Sequence, residues 1–544
     1  MQKALIISLV STMISTALMA QTPSLIKDIN TKGLGNTSSF AGQVRSNYFL
    51  PMKNDKTFFF ANLTDSPYED EAFVTDGTAA GTSMLGKNLY AQLSGHTQLY
   101  DAKNNRVYFT SRENIYSTAK ANTEVWLTDG TAAGTKILKD FSGTESSDPE
   151  LYAVIDGKLF FKNPSYTSAK GFYVSDGTDA GTILLTDKEV FRAVAFKGKM
   201  YMSVAVTTFD NELWESDGTV AGTKKLWASP NGSIGSVFAT TNNLYLQADG
   251  FLTHFNLSTK AATKILDTQK LGSISYGGVV TMGGKDYFLT STYSFGPATL
   301  KNMLYVTDGT VAGTKAIKEL PNYLEQAVIV AAEKFIAFAA QDAQKETELW
   351  LSDGTAAGTI SIDLNKDTES FPRDLCRAGN RIYFSADYKD AAGKAYGREL
   401  MITDGTAAGT KLALDINPTK GSDVKGITYT TYKGKPNLLF YASPNDQLGL
   451  EPHRMDISLV TPSIETLKES NLFSVYPNPS QGTSTLKLTT TENATLRIFD
   501  ISGKLLQTQT IAAQNTTLNL SKGINILQLT DNQGNTQVKK VVVE

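Results

Sequence analysis

Seven aspartates recur in this 544-residue sequence in nearly the same setting, and repetition makes them the first candidates for chemistry. Each opens a heptapeptide of the form DGTAAGT, whole or slightly altered. The copies begin at Asp76, Asp129, Asp176, Asp217, Asp308, Asp353 and Asp404. Asp and Thr oxygens in a loop could hold a cation such as calcium, although calcium loops usually carry several carboxylates at alternate positions. Each copy offers mostly one, so these aspartates are weak calcium candidates.

The competing interpretation is a structural turn. An Asp side chain can accept hydrogen bonds from amides one or two residues on, and Gly adopts positive φ at no steric cost. Apolar residues flank the copies, as in VWLTDGTAAGTKIL from Val125, which is the pattern of strand, turn and strand. The second glycine, such as Gly134, precedes Thr and an apolar run and predicts a second bend or bulge. The motif therefore predicts a hairpin corner.

Other reactive side chains form no recognisable catalytic pattern. The histidines, His96, His254 and His453, fall at unrelated positions of the repeat without metal-ligand spacing, and no nucleophile elbow or phosphate-binding loop occurs. The single cysteine, Cys376, excludes an internal disulfide and is predicted to be a buried, inert thiol. The sequence thus names no catalytic residue.

Four glutamates also recur with the motif, and we interpret them as residues at the edges of the repeated sheets. They are Glu124, Glu212, Glu348 and Glu399. Acids from different repeats could still meet as a glycosidase-like pair, which the sequence alone does not reveal.

The first twenty residues have the composition of a secretory signal peptide. They hold one charge, Lys3, then an apolar run, and end on the small residue Ala20 before Gln21. The run is short and no basic cluster follows it, which argues against a membrane anchor and predicts a mature chain without a transmembrane segment. The formal charge of the chain is -3. This small net charge gives no indication of nucleic acid or an anionic membrane as partner.

The motif belongs to a longer repeat with four short predicted strands. In one period these are residues 151–155, 158–162, 171–175 and 182–186. The aspartates lie 53, 47, 41, 91, 45 and 51 residues apart. Four-stranded units with a period of roughly 40 to 50 residues are typical of a β-propeller. The sequence therefore predicts an all-β fold with a large propeller over residues 21–456.

The number of blades depends on two degenerate copies. One places Leu257 where the Asp belongs and divides the gap of 91 residues, and the other ends the array at Asp456. Counting both predicts nine blades; eight is the alternative if the Leu257 unit is incomplete, and an open β-solenoid is a further one. The last unit lacks a fourth strand, whereas SLIKDIN from Ser24 looks like a fourth strand without its first three. We expect this N-terminal strand to close the ring and hide both sheet edges.

The repeats resemble the ELWxxDGT repeat of secreted bacterial proteins. ELWLSDGTAAGT from Glu348 and ELWESDGTVAGT from Glu212 carry the resemblance, which covers most of residues 24–456. That family has no well-defined shared activity, so the resemblance implies architecture more than function. The chain departs from the pattern at Leu257 and Asp456, which argues against any role needing an unbroken ring of acids.

A second domain follows a linker at residues 457–472, which is rich in Ser, Thr, Pro and Glu. Residues 473–544 contain alternating apolar segments separated by Gly or Asn turns. They predict a small antiparallel β-sandwich of six or seven strands.

This domain resembles the type IX secretion C-terminal sorting domain of Bacteroidetes. The matching residues are Pro477, Asn478, Pro479, Asp500, Gly503, Lys504 and Gly523. The resemblance implies handling by an outer-membrane translocon, removal of the domain by a sortase-like peptidase, and release or surface attachment. Asn525 departs from the family, which usually has an aromatic residue there, and an ordinary adhesive β-sandwich is the alternative.

The sequence therefore predicts a secreted or cell-surface propeller that binds an extracellular protein or glycan through variable loops such as residues 116–122 and 388–396. No cofactor is predicted apart from the weak calcium candidates. The alternative is an extracellular propeller hydrolase or lyase acting on polysaccharide, which needs two or three carboxylates about 5 to 10 Å apart at the mouth of the channel.

Overall fold

A computed structural model describes most of the chain and shows only β-strands, turns and loops in the part it describes. The described residues are 23–30, 48–63, 70–87, 89–91, 98–112, 123–141, 147–163, 170–207, 210–268, 273–291, 302–321, 328–344, 346–366, 368–445, 448–458, 473–488, 494–500, 505–531 and 536–544. The chain separates into two compact units, Met1–Val460 and Thr461–Glu544. The predicted signal peptide and residues 459–472 of the predicted linker lie outside the described residues.

The described residues of the first unit form nine successive groups of antiparallel strands, which we number as blades 1 to 9. Blade 1 has Phe49–Pro51, Thr57–Asn62, Asp70–Thr75 and Ser83–Met84; blade 2 has Leu99–Asp101, Arg106–Arg112, Thr123–Thr128 and Lys136–Ile137; blade 3 has Glu150–Ile155, Lys158–Asn163, Gly171–Ser175 and Ile183–Thr186. Blade 4 has Val190–Phe196, Lys199–Ala205, Asn211–Ser216 and Lys224–Ala228; blade 5 has Ile234–Ala239, Leu244–Ala248, Phe251–Phe255 and Ala262–Asp267; blade 6 has Ser273–Met282, Lys285–Ser291, Asn302–Thr307 and Lys315–Leu320. Blade 7 has Ile329–Ala331, Ile336–Gln341, Thr347–Ser352 and Ile360–Ile362; blade 8 has Arg373–Ala378, Arg381–Lys389, Ala395–Thr403 and Lys411–Leu414; blade 9 has Lys425–Tyr432, Lys435–Ala442 and Glu451–Asp456, completed by Ser24–Leu25.

Blade 5 carries the degenerate copy at Leu257 and nevertheless has four paired strands. The prediction of nine blades is therefore confirmed over eight within the described residues. Blades 1 and 2 are not separate four-stranded sheets. The short strand Tyr90–Ala91 pairs with Glu71 of blade 1 and with Ser111 and Arg112 of blade 2, which joins these two blades into one sheet.

The second and third strands are mostly buried on both faces, because each blade lies between two others. Thr57–Asn62, Asp70–Thr75 and Thr347–Ser352 are buried along their whole length. A strand with apolar side chains on both faces requires a covering layer on each side. The chain meets this requirement by stacking the blades around an axis.

Nine buried clusters lie between consecutive blades in the described part of the first unit. One of them combines Phe58 and Phe60 of blade 1 with Val107 and Phe109 of blade 2. The cluster between blade 9 and blade 1 completes the circuit, since it joins Tyr441 to Phe59. The arrangement is a closed nine-bladed β-propeller.

The ring closes where the N-terminal strand joins blade 9. Ser24 pairs with Arg454 and Leu25 with His453, and Ile26 is buried in the cluster between blades 9 and 1. Phe49 stacks on Tyr441 with ring centroids 4.9 Å apart. The Tyr441 hydroxyl donates to the Phe60 carbonyl at 2.6 Å. The closing strand that the sequence predicted is confirmed, and it removes an exposed sheet edge.

Strand direction gives the ring two distinct ends. Because the strands of a blade are antiparallel, the turns after the first strands and the corners after the third strands share one end, the corner end. The connections after the second and fourth strands share the other, the loop end. First strands contact first strands of neighbouring blades, as Glu150–Ile155 does with Val190–Phe196, so they line the central channel.

The described residues of the second unit form seven strands in two sheets, in agreement with the predicted β-sandwich. One sheet has Phe473–Tyr476, Thr483–Leu488 and Asn515–Asn519, and the other has Ala494–Asp500, Leu505–Ile511, Gly523–Asp531 and Thr536–Val543. Side chains from both sheets fill its core, including Phe473, Leu496 and Leu527.

Candidate functional site

The DGTAAGT motif forms a closed network of hydrogen bonds at each corner. In blade 2, the amide and hydroxyl of Thr131 both donate to Oδ1 of Asp129, at 2.9 and 2.6 Å. The same hydroxyl accepts from the Gly134 amide at 3.0 Å, and Thr135 donates to the Thr131 carbonyl at 2.7 Å. A corner of this kind satisfies its own polar groups without a ligand.

The residue before each Asp completes the network, and the sequence reasoning missed it. Thr128 accepts from the Gly130 amide at 3.0 Å and bonds the Thr135 hydroxyl at 2.7 Å. Every copy has Ser or Thr at this position, namely Thr75, Thr128, Ser175, Ser216, Thr307, Ser352 and Thr403. The restriction to hydroxyl residues was visible in the sequence, and the hydrogen bonds explain it.

The second glycine lies in the predicted second bend, and a contact with the Asp side chain explains why it is glycine. A Cβ on Gly134 would lie 2.1 Å from Oδ1 of Asp129, and the other six copies show the same clash at 2.0 to 2.1 Å. Gly134 is not among the residues with positive φ. The predicted second bend is confirmed, because Gly134 lies in a turn in which the Thr135 amide donates to the Ala132 carbonyl at 3.3 Å. The residue is glycine because the Asp carboxylate lies directly over its Cα. The predicted bulge does occur, between the third and fourth strands of several blades.

The first glycine serves both the turn and the contact between blades. Gly354 has φ of 90°, and a Cβ there would lie 2.5 Å from the hydroxyl of Tyr287 in the preceding blade. Gly405 likewise faces Phe335, and Gly177 faces Arg106. Each corner therefore receives a side chain from the blade before it.

The two degenerate copies replace the network in different ways. Asp456 keeps the turn without the glycines, because the amide and hydroxyl of Ser458 donate to its Oδ1. In blade 5 the side chain of Asn256, one residue before Leu257, accepts from the Ser258 and Thr259 amides at 2.9 and 3.1 Å. A local side-chain acceptor is thus retained in both.

The corner aspartates stand apart from one another, one per blade. Hydrogen bonds from Thr hydroxyls hold the pKa of Asp176, Asp217 and Asp308 below the usual value. Within the described residues, no group of three His, Cys, Asp or Glu side chains is arranged to hold a metal ion. The corner geometry needs no cation, and calcium at these aspartates stays a prediction.

A second repeated feature lies at the loop end, where buried glutamates hold the connections between blades. These glutamates are five residues before the corner position, and Glu124, Glu399 and Glu451 are 0% exposed. Glu399 accepts from the amides of Ile416, Asn417 and Ser422 at 2.9 to 3.2 Å. Each such carboxylate holds the connection between the fourth strand of its own blade and the first strand of the following blade.

The same anchor appears in blades 1, 2, 7 and 9. Glu71 accepts from the Leu89 amide at 2.8 Å, Glu124 from the Ser147 hydroxyl at 2.7 Å, and Glu348 from the Ser370 amide at 3.0 Å. Glu451 accepts from the Ile29 amide at 3.0 Å, so the N-terminal segment is held in the same way as the other connections.

The predicted edge position was wrong for Glu124, Glu348 and Glu399, which are interior residues. Burial raises the pKa of Glu348 and of Glu399 to about 7, against the hydrogen bonds that favour the charged form. Glu212 is half-buried instead and pairs with Lys225 at 2.6 Å. Although burial acts to raise it, the hydrogen bonds from Lys225 and Trp214 hold the pKa of Glu212 below its usual value.

The loop of residues 388–396 forms a hairpin that projects from the loop end of blade 8. Its two strands, Arg381–Lys389 and Ala395–Thr403, have nine residues each, against five to seven in the corresponding strands of blades 3, 4 and 7. The rings of Tyr388 and Tyr396 lie 5.5 Å apart, and Lys394 is 4.0 Å from the centre of the Tyr396 ring. The other predicted binding loop, residues 116–122, lies outside the described residues.

The described histidines, His254 and His453, and the cysteine lie in three different blades. His453 is buried and its Nδ1 lies 2.8 Å from the Glu451 carbonyl, and His254 is half-buried against Gly309. Cys376 is half-buried in the first strand of blade 8, and burial raises the pKa of its thiol to about 11. His96 lies outside the described residues.

The predicted sorting motif contacts the last strand of the second unit. Asn478, between Pro477 and Pro479, accepts from the Val542 amide at 2.9 Å. Asp500 ends its strand opposite Asn525 of the paired strand Gly523–Asp531, and Gly523, at the start of that paired strand, has φ of 107°. Gly503 and Lys504 lie outside the described residues. The motif thus joins the start of the sandwich to its C-terminal strand.

Comparison with known families identifies this second unit. Residues 474–544 match the family described as the secretion system C-terminal sorting domain. The protein is therefore secreted or exposed on the cell surface, as predicted. Among the described residues no helix is long and apolar enough to cross a bilayer. No curated protein matches the chain in sequence.

Solved structures similar to the chain include propeller proteins. A puromycin hydrolase shares 11% identity with a TM-score of 0.34, over 77% of this chain and 60% of that one. The β-propeller domain of the trilobed protease from Pyrococcus furiosus shares 14% with a TM-score of 0.32, over 58% of this chain and 97% of that one. A GH74 enzyme from Niastella koreensis shares 13% with a TM-score of 0.33, over 96% and 86%. The chain spans about three fifths of the puromycin hydrolase, and likenesses of this size assign no activity.

The corner geometry predicts that Gly134→Ala lowers stability by about 1 to 3 kcal/mol, because the new Cβ displaces the Asp129 carboxylate from its donors. Denaturant unfolding measures the loss. In an Asp129→Ala background the clashing atoms are absent, so the same substitution should cost at least about 1 kcal/mol less. An equal cost in both backgrounds would show that the carboxylate is not the reason for this glycine.

The buried anchor predicts a pH dependence of stability. The pKa of Glu399 is raised in the folded state, so its contribution is fully present below the unfolded pKa and is lost as pH rises towards about 7. Relative to Glu399→Gln, the wild type should lose roughly 1 to 3 kcal/mol between pH 5 and pH 8, measured by urea unfolding.

Glu212→Gln is the matched control for this experiment, because Glu212 holds the same repeat position. Its pKa is lowered, so its contribution is constant between pH 5 and pH 8. A flat difference for Glu399→Gln as well would contradict the raised pKa.

Proposed function

We propose that the protein is an exported β-propeller of the ELWxxDGT kind that binds an extracellular protein or glycan at the loop end of its ring. The buried glutamate anchors carry this proposal. They fix the connections of the loop end from inside the ring, while the connections themselves differ in length and composition between repeats. A rigid frame that carries variable loops suits recognition.

The corner end has the opposite character. Its seven complete corners repeat one sequence and satisfy their own polar groups, so they offer the same surface several times over. A repeated self-satisfied turn explains assembly of the ring. The diversity that specific recognition requires is at the loop end.

The hairpin of residues 388–396 is the described loop that best supports binding. Asp390 holds its tip by accepting from the Ala392 and Lys394 amides, both at 2.9 Å. The hairpin offers two tyrosines and a lysine on a preformed support. Tyrosine supplies large contact area at low entropic cost, for a glycan as well as for a protein.

We further propose that the sorting domain takes the chain through the type IX translocon, where a sortase-like peptidase removes it. The family match to residues 474–544 supports this route. The motif around Asn478 lies within the matched residues and is part of this support. Calcium at the corner aspartates remains a subsidiary proposal, for which a fall in melting temperature with chelator is the test.

Binding is tested with a glycan array and a panel of purified extracellular proteins. We expect a ligand whose affinity falls at least tenfold in a Tyr396→Ala, Lys394→Ala double variant. Val311→Ser is the matched control, because Val311 is 61% exposed at the corner end. An equal loss in the control would place the site elsewhere. Release of oligosaccharides from a bound polysaccharide would instead favour the hydrolase or lyase.

Export is tested by deleting residues 473–544 in the producing cell. We expect the truncated protein to be retained inside the cell envelope, measured by immunoblot of surface and medium fractions. Asn478→Ala is a milder variant, because it removes the acceptor for the Val542 amide. Normal surface delivery of the truncated protein would contradict the sorting role.

A further inference from the structure

One side of the sorting domain is closed by hydrogen bonds between its two sheets. Ser480 follows the first strand of the three-stranded sheet, and its amide donates to the Val542 carbonyl of the four-stranded sheet at 2.9 Å. The Glu544 amide donates back to the Ser480 carbonyl at 2.9 Å. The edge strands Phe473–Tyr476 and Thr536–Val543 therefore meet on this side, which we call the closed side.

The opposite side, which we call the open side, is formed by the other two edge strands. Leu505–Ile511 is the outer strand of the four-stranded sheet, and Asn515–Asn519 is the outer strand of the three-stranded sheet. Residues 512–514 join them directly, so both outer edges lie on the same side of the sandwich. Among the described residues no further strand pairs with either edge. Each edge therefore presents a row of backbone N–H and C=O groups without a strand partner.

The outer strand of the four-stranded sheet is also uncovered on its inner face. Gln507 pairs with Ile498 and Gln509 pairs with Leu496, so the two glutamines share the face that carries the core residues of the neighbouring strand. Gln507 is nevertheless exposed, and its side chain donates to that of Gln509 at 3.1 Å. Leu506 beside it is 44% exposed. The three-stranded sheet thus ends before it covers this strand.

The composition of the open side differs from that of edges that proteins protect against pairing. Exposed edges are commonly blunted by lysine, by proline or by a very short strand. On the closed side, Phe473–Tyr476 is short and precedes Pro477, and Thr536–Val543 carries two adjacent lysines. On the open side, residues 505–519 contain no charged residue and no proline. An edge of this kind is suited to pairing with an added strand.

We propose that the open side receives an extended, uncharged segment of the export machinery, which pairs with Leu505–Ile511 as a fifth strand of the four-stranded sheet. The inference rests on the proposed route through the type IX translocon, because a sorting domain is recognised by the system that exports it. A row of backbone donors and acceptors is matched by another extended backbone, whose main-chain hydrogen bonds supply the affinity. The edge strand itself carries no charge that could pair with a charged segment.

Two lysines added to the edge strand test the proposal. Thr508 and Thr510 are exposed on the outer face, so the double variant Thr508→Lys, Thr510→Lys places charge at the edge and leaves the core unchanged. We expect delivery of the full-length protein to the surface and medium to fall roughly fivefold or more, measured by immunoblot of fractions from the producing cell.

Thr495→Lys, Gln528→Lys is the matched control, because it adds the same two charges to the same face on the two central strands of this sheet. It should be delivered as the wild type is. Wild-type delivery of the edge variant, or an equal loss in the control, would overturn the proposal. The melting temperatures of both purified variants check that they fold.

A photo-reactive residue identifies the partner directly and decides if the lysine variant does not fold. We expect p-benzoylphenylalanine at position 510 of the full-length protein to cross-link, in the producing cell, to an outer-membrane component of the export machinery, identified by mass spectrometry. Position 528, on a central strand, should give a much weaker product. A cross-link from position 510 to this chain itself, within one copy or between two, would assign the edge to another occupant and overturn the proposal.

Deletion of residues 473–544 separates this inference from the proposed export role. Normal delivery of the truncated protein would contradict the export role itself. Retention of the truncated protein together with normal delivery of the lysine variant would contradict the strand-addition site alone.

Discussion

Burial of both faces of every blade is the constraint on which the rest of this structure depends. A sheet whose central strands are apolar on both sides is stable only between two covering layers. Nine such sheets in sequence leave an uncovered face at each end unless the ends meet. The cluster of Ile26, Phe49 and Tyr441 is where they meet, and the Tyr441 hydroxyl bonds the Phe60 carbonyl there. Closure follows from the same physics that stacks any two blades.

The corner motif serves this stacking at the level of single residues. Its Asp, Thr and preceding hydroxyl residue satisfy one another, which leaves the bare Cα of the first glycine as a contact surface for the preceding blade. Tyr287 against Gly354 and Arg106 against Gly177 use it in that way. A motif that looked suited to bind a ligand therefore explains how consecutive blades fit.

The glutamate anchors impose the complementary requirement at the loop end. Backbone amides of a connection cannot remain buried without acceptors. Glu399 supplies one carboxylate to three amides, and its burial raises its pKa to about 7. Burial thus raises the pKa of this carboxylate, while its fixed hydrogen-bond donors act to lower it. This balance keeps the connections in place while their exposed residues vary, which is the property that a binding surface on a secreted protein needs.

The sequence by itself determined the period, the nine units, the corner at each Asp and the closing role of the segment from Ser24. These are local or periodic properties, and local hydrogen bonding and alternating burial leave a direct trace in residue order. Only the tertiary structure decided which recurring acids are interior, why the second glycine is required and which side chain of the preceding blade each corner receives. Glu399 meets Ser422, and Arg454 meets Gly77, through distances that residue order does not contain. Burial and hydrogen-bond pairing depend on which residues meet in the folded chain. A strongly repeated sequence therefore predicts the ring, and only the folded structure shows where single blades depart from the repeat.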